Sequence, residues 1–238
     1  MILIYRFIRK KKKLIFEKTA LNWDISQLRV KINDDIKIFK THNMLCKLDI
    51  LGKSCSFTNL KNCLGVIHVV RDPRNVFTSI KNHFSFKDDD AAYKFITNEN
   101  QSIGLDENKI PQLLSSWNNH YNSWKRFPKN RLLIKYENLI KDPRRETLNI
   151  IKYLNQFYNI SISDDNINKI VNNASFMNLK NVEENGLFDE NAVSRHTGEK
   201  KIFFNLGPQN DWKKLLKSKV AINLQNIFCS EMKELGYL

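Results

Sequence analysis

The sequence predicts an α/β fold in which helices flank a mostly parallel central sheet. The prediction comes from two places where an apolar strand is followed closely by the start of a helix. In the first, the run from Leu64 to Val70 precedes Asp72-Pro73; in the second, Arg131 to Tyr136 precedes Asp142-Pro143. Only 7 glycines and 5 prolines are present, which disfavours a turn-rich all-β architecture. Alternation of strand and helix is the pattern that builds parallel sheets.

The first half of the chain predicts two core strands and two helices. Ile36 to Lys40 alternates apolar and polar β-forming residues, which predicts a strand. Leu64 to Val70 is almost continuously apolar, as expected of a buried parallel strand. Asp72 can act as an N-cap with Pro73 at the first helical position, so a helix should run to about His83. A second, amphipathic helix is predicted from the spacing of Leu113, Leu114, Trp117, Tyr121 and Trp124.

The second half predicts a third strand and two further helices. Arg131 to Tyr136 has the composition of a strand, and Asp142-Pro143 repeats the cap-and-proline start of a helix. After a mixed stretch from Phe203 to Trp212, a final helix should run from about Lys217 to Leu235 and stop at Gly236. The buried face of the helix that begins at Asp142-Pro143 should include Ile150, Ile151, Leu154 and Phe157.

Length and composition indicate one folded domain over residues 1–238. A hydrophobic content of 42% argues against disorder, and no linker or internal repeat interrupts the 238 residues. The sequence contains no run of 18 apolar residues, which is the length that a helix needs to span a bilayer. Residues 1–35 stand out as an atypical basic segment, in which apolar residues precede the lysines. This is the reverse of the order in a secretory signal, so we expect a cytoplasmic protein.

The net charge of +14 raises the question of a polynucleotide ligand. Seven basic residues among the first twenty, against the single acid Glu17, account for six of these charges. The more dilute remainder suits a small anionic ligand at least as well, so we expect no nucleic-acid partner. The four cysteines form no CxxC pair and match no zinc signature together with His42; we expect free buried thiols and no metal.

Three predicted strand ends carry residues suited to anion chemistry, because ligands of α/β sheets bind where strands end and helices begin. Lys40 and His42 place a cation and a titratable base two residues apart, on one side of an extended chain. Arg71 follows the second strand, with Ser79 further along the next helix. Tyr136 ends the third strand and could face a ligand base.

Each of these residues also has a purely structural interpretation. Lysine and histidine are common on surfaces, and Arg71 could pair with Asp72 or Asp142. Tyr136 could be an ordinary core residue. The residues alone leave both interpretations open.

In order and spacing, six segments of the chain resemble the sulfotransferase family, whose cytosolic members transfer a sulfuryl group from 3'-phosphoadenosine 5'-phosphosulfate (PAPS). The resemblance covers residues 36–238 and implies the sulfotransferase fold, which is related to that of P-loop kinases. The segments are FKTH from Phe39, VIHVVRDPRNVFTSIKNHF from Val66, LLIKYENLIKDPRRE from Leu132, SF at Ser175, GPQNDWKKLL from Gly207 and the closing EMKELGYL.

The resemblance implies a reaction and a set of nucleotide contacts. His42 matches the family's general base, which deprotonates a hydroxyl or amine acceptor, and Lys40 matches its partner lysine. The arginine and serine that hold the donor's 3'-phosphate match Arg71 and Ser79. PAPS would be the co-substrate and adenosine 3',5'-bisphosphate the product, with no metal. The remaining nucleotide-binding positions are Tyr136 and Phe176 at the adenine, Ser175 and Gly207.

Two features depart from the family pattern. Members begin with a strand and a glycine-containing loop that cradles the 5'-phosphosulfate, whereas the first glycine here is Gly52, beyond Lys40 and His42. The loop's tryptophan is missing too, unless Trp23 serves. The chain also has Asn205-Leu206 where the family has two cations before the glycine.

The departures leave two alternatives open. The chain is either the C-terminal portion of a sulfotransferase, which residues 1–35 favour because they look like an interior connection, or a degenerate relative. Such a relative would bind adenosine 3'-phosphate nucleotides or a protein partner without catalysis. The acceptor, whether a small molecule, a carbohydrate or a lipid hydroxyl, is not named by any motif. Its specificity would lie in the long segments Phe84 to Lys109 and Asn181 to Lys201, and the oligomeric state has no signal.

Overall fold

The computed structural model describes residues 10–29, 36–50, 52–104, 110–188, 192–193 and 200–238. The chain divides into two compact units. The first comprises Met1–His68 and Phe95–Arg131, and the second comprises Val69–Lys94 and Leu132–Leu238. That residues 1–238 form a single domain stays a prediction.

Helices make up most of the regular structure. In chain order they are α1 Lys10–Arg29, α2 Pro73–His83, α3 Asp89–Thr97, α4 Trp117–Lys125, α5 Tyr136–Lys141, α6 Pro143–Leu154, α7 Asp164–Asn173, α8 Phe176–Glu184, α9 Trp212–Leu215, α10 Ser218–Ile227 and α11 Cys229–Glu234. A short 3-10 turn at Gly207–Gln209 precedes α9. None of the helices in these described ranges combines the length and the hydrophobicity needed to cross a membrane.

The strands are short and pair two by two. They are β1 Leu48–Ile50, β2 Lys53–Cys55, β3 Gly65–Val70, β4 Ser102–Ile103, β5 Gln112–Leu113, β6 Asn130–Lys135, β7 Ala192–Val193 and β8 Lys200–Lys201. β3 pairs with β6 in parallel. The pairs β1–β2, β4–β5 and β7–β8 are antiparallel. The predicted α/β class is confirmed.

The first unit has a core of its own in which α1 packs on the β1–β2 hairpin. Phe16 of α1 is 1% exposed and meets the ring of Phe57 edge-on, with 5.2 Å between centroids. Burial of such large apolar side chains is the main stabilising contribution here. The other buried members are Ala20, Met44, Leu48, Ile50, Cys55 and Leu113.

In the second unit the predicted helix starts are confirmed. The Asp72 carboxylate accepts from the Arg74 N–H at the start of α2, and α2 ends at His83. The Asp142 carboxylate accepts from the Arg145 N–H in the same way at the start of α6. Both caps satisfy backbone donors that have no partner within the helix. The apolar core of this unit includes Phe77, Leu224, Phe228 and Met232, each fully buried.

The strand predicted over Ile36 to Lys40 is wrong. Residues 36–47 have no regular hydrogen-bonded structure. The adjacent residues Ile38 and Phe39 are 73% and 69% exposed, whereas a half-buried strand would hide one of any two neighbours. An alternating pattern shows only that one face of a strand could be buried. Within the described residues, no neighbouring strand pairs with Ile36 to Lys40.

Three helix predictions need correction, two at their boundaries and one in the residues that are buried. Leu113 belongs to β5, and Ser115 has a φ of +60°, so α4 begins only at Trp117. The predicted final helix is divided at Phe228 into α10 and α11, although Gly236 ends it with a φ of +68° as expected. On α6 it is Tyr153, rather than the predicted four residues, that is buried among the apolar side chains. Those four residues are half-buried, and Phe157 lies three residues beyond the end of α6.

Three segments for which the sequence predicts no helix or strand contain regular structure. The basic segment 1–35 includes the 20-residue helix α1, on which Trp23 lies 42% exposed. The first candidate acceptor segment, Phe84 to Lys109, contains α3 and β4, and the second begins within α8 and contains β7 and β8. Residues 1–9, 30–35, 51, 105–109, 189–191 and 194–199 lie outside the described part of the chain.

Candidate functional site

The end of β3 and the following helix bring together three of the predicted site residues. Arg71 follows β3 directly, and its Nη1 lies 3.4 Å from the Oγ of Ser79 on α2. The guanidinium also lies over the ring of Tyr136, 4.2 Å from its centroid. Tyr136 is the first residue of α5 rather than the last of a strand, which corrects its predicted setting. A guanidinium beside a hydroxyl at the start of a helix is a suitable arrangement for binding an anion.

The backbone next to Arg71 is held by a buried polar network. The carboxylate of Glu137 accepts from the Asp72 N–H at 2.9 Å and from the Tyr237 hydroxyl at 2.9 Å. The Asp72 carboxylate binds Arg74 at 2.7 Å, and Arg74 also donates to the carbonyl of Tyr237. The carboxylate of Asp72 is therefore engaged by Arg74.

Burial, together with the charges in this network, shifts the pKa values of two residues. Burial lowers the pKa of the Arg71 guanidinium, while Tyr136, Glu137 and Asp72 oppose that change. Burial, followed by the nearby Glu137 carboxylate, raises the pKa of Tyr237 well above its ordinary value. Tyr237 thus remains a neutral hydrogen-bond donor to Glu137, and Arg71 stays a cation because an arginine starts from a very high pKa.

The predicted adenine and glycine positions lie against each other in the same unit. Gly207 has a φ of +48°, and a Cβ built on it would lie 2.1 Å from Cε2 of Phe176. Phe176 also faces Phe204 edge-on, with 6.3 Å between centroids. Ser175 is the N-cap of α8, where its hydroxyl accepts from the Asn178 N–H at 3.4 Å. The contact of Phe176 with Gly207 requires a residue without a side chain.

The loop that carries Gly207 is tied to α2 through a residue that the sequence did not single out. Asn210 is 7% exposed, and its Nδ2 lies 2.8 Å from the Oγ of Ser79 and 3.0 Å from the carbonyl oxygen of Asn75. The Trp212 N–H donates to the Asn75 side chain at 2.9 Å. Asn210 lies within the segment GPQNDWKKLL, directly before Asp211-Trp212. Its place in that segment is the feature of the sequence that could have identified it.

The first unit contains the other two predicted residues, Lys40 and His42. Both are exposed, and both lie in a segment that is not a strand. The prediction that the two side chains point to the same side assumed a strand and therefore loses its basis. The chain just after them is anchored, because the Trp124 indole donates to the Asn43 carbonyl at 3.0 Å and the Leu113 N–H donates to the Asn43 side chain at 2.7 Å.

A histidine on α4 contacts the backbone of His42. His120 makes a hydrogen bond with that backbone, a bond that raises its pKa and therefore uses the imidazole N–H as donor. Burial and the charge of His42 outweigh the bond and lower the pKa of His120 to about 4. His120 is thus a neutral residue that helps to hold His42, and sequence reasoning did not identify it.

His68 completes a buried group in the same unit. It is 6% exposed, stacks on Tyr121 at 5.7 Å and lies 6.3 Å from His120 between ring centroids. Its Nδ1 is 3.5 Å from the Nη1 of Arg131 and must act as acceptor, because arginine only donates. Burial, the neighbouring His120 and Arg131 lower the pKa of His68 to about 3.

The cysteines are free, as expected, but only Cys55 is fully buried; Cys46, Cys63 and Cys229 are half-buried. Burial raises the pKa of the Cys46 thiol to about 11, which makes it a poor nucleophile. Among the residues that the structure describes, no group of three or more histidine, cysteine or acidic side chains could hold a metal ion.

Comparison with known proteins gives consistent results. Residues 6–236 match the family described as "Sulfotransferase domain". Sulfotransferase 2A1 from Macaca fascicularis is 27% identical over 173 residues, which cover 71% of this chain and 57% of that protein. Cytosolic sulfotransferase 17 from Arabidopsis thaliana is 22% identical over 211 residues, covering 84% of this chain and 57% of that protein.

A solved structure supports the fold. The crystal structure of mouse sulfotransferase SULT7A1 complexed with PAP superposes with a TM-score of 0.51 and 21% identity, covering 71% of this chain and 58% of that one. The rabbit (Oryctolagus cuniculus) protein named Amine sulfotransferase is 25% identical over 175 residues, covering 71% of this chain and 54% of that protein. The chain spans a little over half the length of the curated relatives that it matches.

Proposed function

The chain belongs to the sulfotransferase domain family, and from this premise we propose that it transfers a sulfuryl group from PAPS to a hydroxyl or amine acceptor. The observation that carries the proposal is the Arg71–Ser79 contact at the end of β3, since it offers a phosphate-binding cation and hydroxyl beside a capped helix start.

The residues of the second unit fit a nucleotide with a 3'-phosphate. Arg71 and Ser79 bind that phosphate. Tyr136, whose ring lies against the Arg71 guanidinium, contacts the adenine. Phe176 presents an aromatic face for stacking on adenine. Gly207, whose φ is positive and which has no Cβ, lets the backbone approach closely. Ser175 fixes the start of the helix that carries Phe176.

His42 and Lys40 take the catalytic roles. His42 accepts the proton of the acceptor as the new bond from the acceptor oxygen or nitrogen to sulfur forms. The bond from sulfur to the 5'-phosphate oxygen breaks in the same step, and the leaving group is adenosine 3',5'-bisphosphate. Lys40 offsets the negative charge that develops on the transferred group. His120, through its bond to the His42 backbone, holds the base in place.

Binding and transfer are tested separately. Calorimetry compares adenosine 3',5'-bisphosphate with adenosine 5'-phosphate; we expect a preference for the bisphosphate that Arg71→Ala reduces by about ten- to a hundred-fold, the loss of one charge-assisted contact. The exposed Arg126→Ala is the matched control. An equal affinity for the two nucleotides would rule out the assignment of Arg71 and Ser79.

Transfer is measured with radiolabelled PAPS and a panel of acceptors that includes phenols, sugars, lipid headgroups and amines. Label transferred in a His42-dependent manner supports the enzyme. Binding of the bisphosphate with no transfer to any acceptor supports the second candidate function, a nucleotide-binding relative without catalysis. The observation in its favour is Asn205-Leu206 in place of two cations.

A further inference from the structure

The side-chain amide of Asn210 is buried, and within the described part of the chain its hydrogen bonds go to residues of α2. Its Oδ1 lies 2.5 Å from the Oγ1 of Thr78. Its Nδ2 lies 3.0 Å from the carbonyl oxygen of Asn75 and 2.8 Å from the Oγ of Ser79. With 7% exposure, this amide is shielded from water, so the direction of each hydrogen bond is set by the protein.

The chemistry of these partners fixes which way the amide faces. The carbonyl oxygen of Asn75 can only accept, so the atom of Asn210 that faces it must be the nitrogen. One amide hydrogen goes to that carbonyl and the other to the Oγ of Ser79. The oxygen of Thr78 lies 2.8 Å from the Asn75 carbonyl oxygen and 2.5 Å from the Asn210 Oδ1. Its single hydrogen points to the nearer Asn210 Oδ1, because two acceptors do not face each other at that distance. Ser79 is therefore an acceptor toward Asn210.

This arrangement determines what the Ser79 hydroxyl can offer a ligand. A hydroxyl has two acceptor lone pairs and one hydrogen. Asn210 donates to the Oγ, and the Nη1 of Arg71 lies 3.4 Å away as a second donor. Within the described ranges, the Ser79 hydroxyl hydrogen is given to no acceptor. It is thus available to donate, on the side where Arg71 supplies positive charge.

We propose that Asn210 is a positioning and specificity residue, which sets Ser79 as a hydrogen-bond donor so that the site selects an ionised phosphate monoester. An ionised phosphate offers only acceptors, which match the donors of Arg71 and Ser79. A ribose hydroxyl in the same place would find no acceptor on Ser79, because its lone pairs already face Asn210 and Arg71. This inference rests on the proposed function and explains how a 3'-phosphate is distinguished from a 3'-hydroxyl.

The isosteric substitution Asn210→Asp is the main test. The introduced carboxylate cannot donate to Asn75 or Ser79, so the serine turns its proton inward and the added charge repels the phosphate. We expect calorimetry to show the affinity for adenosine 3',5'-bisphosphate falling about a hundred-fold, with adenosine 5'-phosphate changed only a few-fold. Part of the loss should return on acidification, since a protonated acid can donate again. Asn226→Asp, which adds the same charge at an exposed position of α10, should leave both affinities unchanged.

A double-mutant cycle separates positioning from general support of the fold. Asn210→Ala should weaken bisphosphate binding by about five- to twenty-fold in the unaltered chain and by little in a Ser79→Ala background, because its effect acts through that hydroxyl. Additive effects of the two substitutions would overturn the inference. The alanine variant also decides the matter if Asn210→Asp fails to fold.

The outcomes distinguish this inference from its premise. An unaltered chain that shows no preference for the bisphosphate overturns the proposed nucleotide site and the inference with it. If the folded Asn210→Asp variant keeps the full preference for the bisphosphate over adenosine 5'-phosphate, the inference alone is overturned. A preference that is lost in that variant but kept in Asn226→Asp supports both.

Discussion

The ring of Phe176 lies so close to Gly207 that any side chain at the glycine would overlap it, at 2.1 Å from Cε2 to an added Cβ. The glycine also adopts a φ of +48°. Two separate requirements, one of conformation and one of space, thus exclude other residues here. They tie the proposed adenine-stacking ring to the loop that continues to Asn210.

Gly207→Ala should displace Phe176 as well as strain the backbone. We expect it to lower the affinity for the bisphosphate about ten-fold or more, and to lower the free energy of unfolding by about 1–3 kcal/mol, because the added Cβ overlaps the ring and the backbone keeps a positive φ. Calorimetry and urea denaturation measure the two effects. The matched control is Gly186→Ala, since Gly186 has a φ of +74° but nothing within 4 Å of an added Cβ. Gly186→Ala should strain the backbone in the same way but leave the affinity for the bisphosphate unchanged. An equal loss of affinity in both variants would contradict the stacking role of Phe176.

His42→Ala should separate turnover from nucleotide binding. If His42 is the general base, the substitution lowers the rate of sulfuryl transfer by about 10²–10⁴-fold while the bisphosphate affinity stays within a few-fold. Steady-state kinetics and calorimetry on the same preparation provide the comparison. Full turnover in the variant would show that His42 is an ordinary surface residue, and a parallel loss of folding would point to a structural role instead.

Acidification should destabilise the fold through His68 and His120. In the unfolded chain both imidazoles take a proton near pH 6.5, whereas in the folded chain their pKa values are about 3 and about 4. Between these limits the unfolded state binds more protons, so stability falls as the pH drops, by up to about 1.4 kcal/mol per pH unit for each histidine. Above pH 6.5 the two residues add no dependence.

The measurement is urea denaturation at several pH values between about 4 and 7.5. The double substitution His68→Gln with His120→Gln should flatten the profile in this window. A profile equally steep in the double variant would show that other groups cause the acid sensitivity.

Glu183→Gln tests a buried carboxylate that organises the aromatic residues around Phe176. Glu183 is 6% exposed and accepts from the backbone N–H groups of both Phe203 and Phe204, the latter at 2.8 Å. A glutamine offers one oxygen where two are used, so its amide hydrogens oppose a backbone N–H. The free energy of unfolding should fall by about 1–3 kcal/mol in urea titrations. The neighbouring Glu184→Gln, on an exposed acid 3.8 Å from Lys180, should change it by less than about 0.5 kcal/mol.

The features predicted correctly from the sequence are those whose interactions are local. Asp72 accepts from an N–H two residues away, and Asp142 accepts from one three residues away, so the cap-and-proline pairs specify their helices without help from the rest of the chain. The apolar run from Leu64 to Val70 did become the strand β3, but its predicted burial is wrong. Only His68 and Val70 of this run are buried, whereas Leu64 and Val69 are 49% and 55% exposed. The order of the motifs indicated the family, which the match over residues 6–236 confirmed.

Tertiary structure decided the features that depend on distant partners. Ile36 to Lys40 has the alternation of a strand, but no alternation can supply a neighbouring strand, and the segment is exposed. Ser79 and Asn210 are 131 residues apart in sequence, and Glu183 binds amides twenty and twenty-one residues away. Composition and periodicity hold no information on such pairs. The sequence by itself determined the helix starts, the position of the strand β3 and the family; only folding determined which amide faces Ser79, because a hydrogen bond requires its two partners to be within about 3 Å in space.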